Sequence, residues 1–197
     1  TLFRLIDALD RTYEVALVNN STLTPIELLE EICRKFGLEV ESHASKPALL
    51  ARLETHLTRL AERGHGAILI IDEAQNFERQ LLEEVRLLSN MTRPGGPLLL
   101  QIALVGQPEL ERKLEQPDLR QLRQRIGLHY KIAPLSEAET AKYVHHRVGV
   151  AGGAPLKIFP DATLATLHVR THGLPREINQ VAGQAMLHAY VDRNATV

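Results

Sequence analysis

Two hydrophobic periods alternate along the chain. Residues 1–10 set Leu2, Leu5, Ile6 and Leu9 on one stripe, the spacing of an amphipathic helix. Tyr13-Glu14-Val15-Ala16-Leu17-Val18 has strand length and is ended by Asn19-Asn20-Ser21. Thr24 precedes Pro25 and stands three residues before Glu27, which predicts a helix opened by a capping box and closed at Gly37. A polar loop follows. A helix with Pro47 in its first turn then carries Leu49, Leu53, Leu57 and Leu60 to Gly64. Ala67-Ile68-Leu69-Ile70-Ile71 is an unbroken, Ile-rich run bounded by Gly66, and reads as a strand buried on both faces. Helical spacing returns with Leu81, Leu82, Val85 and Leu88, and Arg93-Pro94-Gly95-Gly96-Pro97 is a loop. Residues 98–105 predict a second apolar strand, closed by Gly106-Gln107-Pro108. Pro108 starts a short helix through Leu114, Asp118 caps another over 119–125, and 128–132 predict a short strand. Strands alternating with helices in this way predict a parallel, doubly wound sheet.

After Pro134 the strand pattern stops. Ser136 with Glu139 forms a second capping box, opening a helix to about Val148. Gly152-Gly153-Ala154-Pro155 reads as a turn, and Pro160 and Asp161 open a helix to about His172. Gly173-Leu174-Pro175 breaks it before a last helix to about Arg193. The organisation expected is an α/β core over 1–134 and a small all-helical domain over 135–197.

Composition narrows the function classes. With 44% hydrophobic residues the chain can bury a large core, but only 4% are aromatic and none is Trp. That argues against an aromatic stacking platform for single-stranded nucleic acid or sugar. A net charge of −1 gives no global field toward DNA or an anionic membrane. The single cysteine, Cys33, leaves no internal disulfide or Cys-rich zinc site and fits a reducing compartment. The nine His residues show no ligand spacing, and no apolar run reaches membrane-spanning length.

The candidate chemistry gathers at strand ends. Asp72 and Glu73 follow the Ile-rich strand directly, and open parallel sheets bind ligands outside the carboxyl ends of their strands. Two adjacent carboxylates repel, and a bound cation removes that cost. Asp72 as a helix N-cap is the competing reading, and these two residues leave both open. Gln107 ends the next strand, where it either meets a ligand or faces solvent in a plain turn. Arg120, Arg123 and Arg125 form a basic cluster that suits a phosphate or a set of local ion pairs with Asp118 or Glu115. Arg176 stands in a helix's first turn, where its charge opposes the dipole. Gln75 and Asn76 read as residues that orient the loop.

Four strings, IDEAQ, GQPEL, LRQRI and GLPREIN, stand in this order on this architecture. Together they resemble AAA+ ATPases of the general secretion pathway A type, including relatives from exosortase and exopolysaccharide loci. The resemblance covers essentially the whole chain. It implies a P-loop NTPase-like sheet followed by a helical AAA+ lid. It implies ATP and Mg²⁺, with Asp72 holding the metal and Glu73 polarising the attacking water. Gln107 takes the sensor-1 position, where many AAA+ proteins carry Asn, and Arg176 the sensor-2 position. Arg125 matches the arginine finger best and Arg123 second. It further implies a homo-oligomer, a membrane-protein partner in a secretion or envelope system, and a cytoplasmic location at the inner face of the bacterial inner membrane.

No G-x-x-x-x-G-K-[ST] occurs in the sequence. In the family that phosphate-binding loop stands immediately before a helix like the one beginning Thr1-Leu2-Phe3, so the chain reads as a fragment without its first strand and phosphate cradle, inactive by itself. A DNA-binding transposition helper shares the fold and similar motifs, but the near-neutral charge argues against it. An inactive interaction module is the third reading.

Overall fold

The computed structural model describes residues 2–9, 12–92 and 96–197. Thr1 and Asp10, at the ends of the first predicted helix, lie outside the described residues, as do Arg93, Pro94 and Gly95 of the predicted loop. In chain order the elements are α1 (Leu2–Ala8), β1 (Tyr13–Val18), α2 (Pro25–Lys35), α3 (Lys46–Glu62), β2 (Gly66–Ile71), α4 (Arg79–Leu88), β3 (Gln101–Leu104), α5 (Pro108–Leu114) and α6 (Arg120–Arg123). Then come α7 (Glu137–Val150), α8 (Pro155–Ile158), α9 (Asp161–Thr171) and α10 (Pro175–Val191). The chain divides into two compact units, residues 1–129 and 130–197.

The first unit is built on a parallel three-stranded sheet in the order β1-β2-β3, so the Ile-rich strand is central. Period two sorts its side chains. Ala67, Leu69 and Ile71 of β2 join Ala16 and Val18 of β1 in one core with Leu28, Leu29 and Ile32 of α2, Leu49, Leu53 and Leu57 of α3, and Leu81, Leu82 and Val85 of α4. The opposite face is less covered. Ile70 is buried there, but Val15, Leu17 and Ile68 are half-buried and Gln101 and Ala103 exposed. The expectation of burial on both faces is thus met fully on one side of β2 and partly on the other.

Both capping boxes form. Thr24 Oγ1 accepts from the Glu27 N–H and the Glu27 carboxylate accepts from the Thr24 N–H at 2.7 Å, an arrangement repeated by Ser136 and Glu139 at 2.8 Å. The backbone and side-chain hydrogen bonds from Thr24 and Ser136 hold the two glutamyl carboxyls below their usual range.

Lys46 at the start of α3 ties that helix to α4 by an ion pair with the buried Glu84 at 2.5 Å; the other Glu84 oxygen is buried without a hydrogen bond. Lys46→Met would leave the carboxylate unpaired in an apolar setting. Because the lysine is 37% exposed, the expected loss is below that of a fully buried pair, about 1–2 kcal/mol in denaturant unfolding. An unchanged midpoint would show that the pair contributes nothing.

Three predicted elements differ. The second strand begins at Gln101, not Leu98; Leu98 makes an isolated antiparallel bridge to Thr92, while Leu99 and Leu100 are buried in the core before strand pairing begins. The helix over 119–125 splits into a 3-10 turn, Pro117–Leu119, and the single turn α6, because Asp118 pairs with Arg79 at 3.0 Å and does not cap. Residues 128–132 form no strand, and Leu128, Tyr130 and Ile132 are 84%, 82% and 81% exposed. The edge of β3 away from β2 is likewise unpaired among the described residues.

The second unit is helical. Val144 and Val148 of α7, Phe159, Leu164 and Leu167 of α9, and Ile178 and Ala182 of α10 form its core. Pro155 starts the short helix α8 where a turn was expected, since proline suits a helix's first position as well as a turn. Gly173, with φ +72°, stands in the middle of the α9–α10 connection, and its carbonyl accepts from the Leu135 N–H at 2.9 Å.

Candidate active site

Three parallel strands end side by side, and the chain leaves each of them with polar residues. The Asp72 N–H donates to Val18 at the end of β1, and the Val105 N–H donates to Ile71 at the end of β2, both at 2.8 Å. This extension of the ladder sets Asp72 and Glu73 beside Gly106 and Gln107.

Asp72 is half-buried and Glu73 exposed. The Glu73 N–H donates to Asp72 Oδ1 at 3.0 Å. Asp72 does not cap a helix: the following 3-10 turn is Ala74–Asn76 and its N-cap position is Glu73, whose side chain caps nothing. Glu73 has left-handed backbone, φ 52° and ψ 36°, a conformation that costs a non-glycine residue on the order of 1 kcal/mol and concentrates at functional sites. The bend turns the chain out of the strand direction directly after Asp72.

The Glu73 carboxylate is engaged on one oxygen. Its Oε2 accepts from Gln75 Nε2 at 2.5 Å and from Gln107 Nε2 at 3.3 Å. Gln107 therefore does more than face solvent in a turn, although its side chain is exposed. The Gln75 carboxamide also accepts from the Gln107 N–H at 3.1 Å, so it touches both strand ends. Lys113 of α5 fixes the turn from below, donating to the carbonyls of Gln75 at 2.6 Å and Phe77 at 2.8 Å. Gln75 reads as a loop residue in the sequence and Lys113 carries no signal there. Only the position of Gln75 inside IDEAQ, two residues after the acid, hints at its part.

Asp72 suits a magnesium ion as a single hard oxygen donor. Mg²⁺ keeps several waters and takes one or two carboxylates beside phosphate oxygens, so a cage of protein ligands is not required. Among the described residues no group of three or more His, Cys, Asp or Glu side chains could hold a metal by itself.

The predicted arginines stand on other elements of the chain. Arg123 ends α6, Arg125 follows that helix, and both are exposed. Asp118 is taken by Arg79, so it does not neutralise them. Arg176 is exposed in the first turn of α10, within the second unit.

Residues 1–114 match the family described as an AAA domain. Over 186 residues the chain is 38% identical to General secretion pathway protein A of Aeromonas hydrophila, covering 94% of this chain and 34% of that protein. The chain thus spans about a third of the length of that curated relative. Among solved structures it is similar to Cdc6p of Pyrobaculum aerophilum, with a TM-score of 0.72, 16% identity and coverage of 100% of this chain and 52% of that one. It is also similar to the ORC2 protein of Aeropyrum pernix in its ADP form, with a TM-score of 0.65, 16% identity and the same coverage of both chains. At that identity the two likenesses concern the fold alone. No helix among the described residues is long and apolar enough to cross a membrane.

Proposed function

The chain belongs to the AAA domain family, and from that premise we propose that it is the core of an ATPase of a bacterial secretion or cell-envelope system, hydrolysing ATP at the interfaces of a homo-oligomer. The observation that carries the reading is the hydrogen-bonded group at the strand ends: Asp72, Glu73 and Gln107, with Gln107 reaching the Glu73 carboxylate. The kinship with a general secretion pathway protein supports the choice of system. The ADP form of a protein of like fold is consistent with a nucleotide as ligand.

Each residue has one task. Asp72 holds the magnesium ion, which when bound neutralises charge on the phosphates. Glu73 accepts a hydrogen bond from the attacking water and raises its nucleophilicity. Gln107 donates to the γ-phosphate or to that water. Arg176, in a helical lid formed by residues 135–197, reaches the nucleotide of its own subunit and makes lid position depend on the phosphate. Arg125, or Arg123 in its place, is offered to the neighbour's nucleotide, where a guanidinium stabilises the charge of the transition state. The phosphate-binding loop and its lysine are supplied by a segment ahead of residue 1 in the intact protein. The edge of β3 away from β2, unpaired among the described residues, supports this, since a strand edge can take a further neighbour. The partner is a membrane protein of the same system, met at the cytoplasmic face of the inner membrane.

Mixed oligomers of the intact protein test the interface assignment. An Arg125→Ala subunit keeps its own Glu73, and a Glu73→Gln subunit keeps its own Arg125. Once energy transfer between labelled subunits demonstrates exchange, mixing the two is expected to recover part of the ATPase rate. An Arg176→Ala and Glu73→Gln mixture recovers none, because every subunit then lacks one group it needs for its own nucleotide. Demonstrated exchange without recovery in the first mixture removes Arg125 from the role.

A further inference from the structure

We propose that Gln75 is a positioning residue for the Glu73 carboxylate, locking it to the Gly106–Gln107 loop so that one oxygen stays free for the attacking water. The proposal rests on the reading of Glu73 as the water-polarising group.

The carboxamide of Gln75 is used at both ends. Its Nε2 donates to Glu73 Oε2 at 2.5 Å and its Oε1 accepts from the Gln107 N–H at 3.1 Å. Only this orientation of the amide works. Reversed, it would set oxygen against a carboxylate and N–H against N–H. The backbone beneath is anchored independently, by Lys113 on the carbonyls of Gln75 and Phe77. Space for the amide exists because position 106 has no side chain: a Cβ there would stand 2.6 Å from Gln75 Oε1.

The consequence for Glu73 is directional. Its two hydrogen bonds from Gln75 and Gln107 both fall on Oε2, and its backbone is already turned left-handed. An exposed glutamate otherwise samples many rotamers, and a general base misplaced by about 1 Å loses much of its effect. With Oε2 pinned from two sides, Oε1 is the oxygen left to accept from water. The same bridge makes the carboxylate and the sensor loop one unit: a shift of Gln107 toward a phosphate is felt at Glu73 through the Gln75 amide.

Three variants of the intact protein test this by steady-state kinetics. Gln75→Ala is expected to lower kcat about tenfold with KM within about twofold, the usual size for loss of a group that orients a reacting one. Gly106→Ala should do the same by a different route, because its Cβ displaces the flexible end of Gln75 while Leu110, at 3.2 Å, yields slightly. The double variant should be no slower than either single one, since both remove one contact. A role confined to folding would lower the unfolding midpoint and leave kcat per folded subunit unchanged.

Multiplicative losses in the double variant would overturn the proposal. So would wild-type kcat in Gln75→Ala when Glu73→Gln abolishes turnover, and this result leaves the role of Glu73 standing. Wild-type turnover in Glu73→Gln overturns both together.

Discussion

In the intact protein, Glu73→Gln is expected to keep ATP binding and to lose turnover by about a hundredfold or more. The substitution preserves shape. A glutamine at 73 can still accept the hydrogen bond from Gln75 Nε2 through its own carbonyl oxygen. What disappears is the negative charge and basicity facing the water. The proposed magnesium ligand, Asp72, is left alone by the change, so the nucleotide should remain bound. A fall in kcat with an unchanged dissociation constant for ATP marks an interaction made mainly in the transition state. Turnover near wild type would make Glu73 only the exposed acid of a left-handed turn.

The second large effect is on stability. Gly173→Ala is expected to destabilise the helical unit by about 2–4 kcal/mol. Its Cβ would lie 1.9 Å from the Leu135 carbonyl oxygen and 2.9 Å from the carbon, both backbone atoms that no rotamer change removes. The φ of +72° adds strain that alanine feels and glycine does not. Moving Leu135 away breaks its 2.9 Å hydrogen bond to Gly173. Gly183, inside α10, is the control: a Cβ there meets nothing within 4 Å, so Gly183→Ala should stabilise by about 0.5–1 kcal/mol. Equal unfolding midpoints for the two variants would refute the close approach of Gly173 to Leu135.

What could be read in the sequence is what local physics decides. The central strand, the parallel order and both capping boxes follow from apolar period, length and the placement of Thr24, Glu27, Ser136 and Glu139. The acids at 72 and 73 were visible because a strand end is a chemical landmark. Pairing is not local, and there the reading fails. Leu98, Leu99 and Leu100 continue an apolar run without continuing the strand, since burial against helices and pairing in a sheet ask for the same residue types. Leu128, Tyr130 and Ile132 alternate correctly, but a strand needs a neighbour as well as a pattern. The contact Gln75 makes is illegible for the same reason: its amide meets Gln107, 32 positions away, and no periodicity announces such a contact.

The open edge of β3 has a bearing on how these 197 residues behave at the bench. A strand edge is a template for any extended chain, and another copy is the nearest one in a concentrated sample. With a net charge of only −1, long-range repulsion between copies is weak. Self-association through this edge is therefore expected to grow with protein concentration. Turbidity rising with protein concentration would then report pairing at the sheet edge, and a poor core need not be blamed.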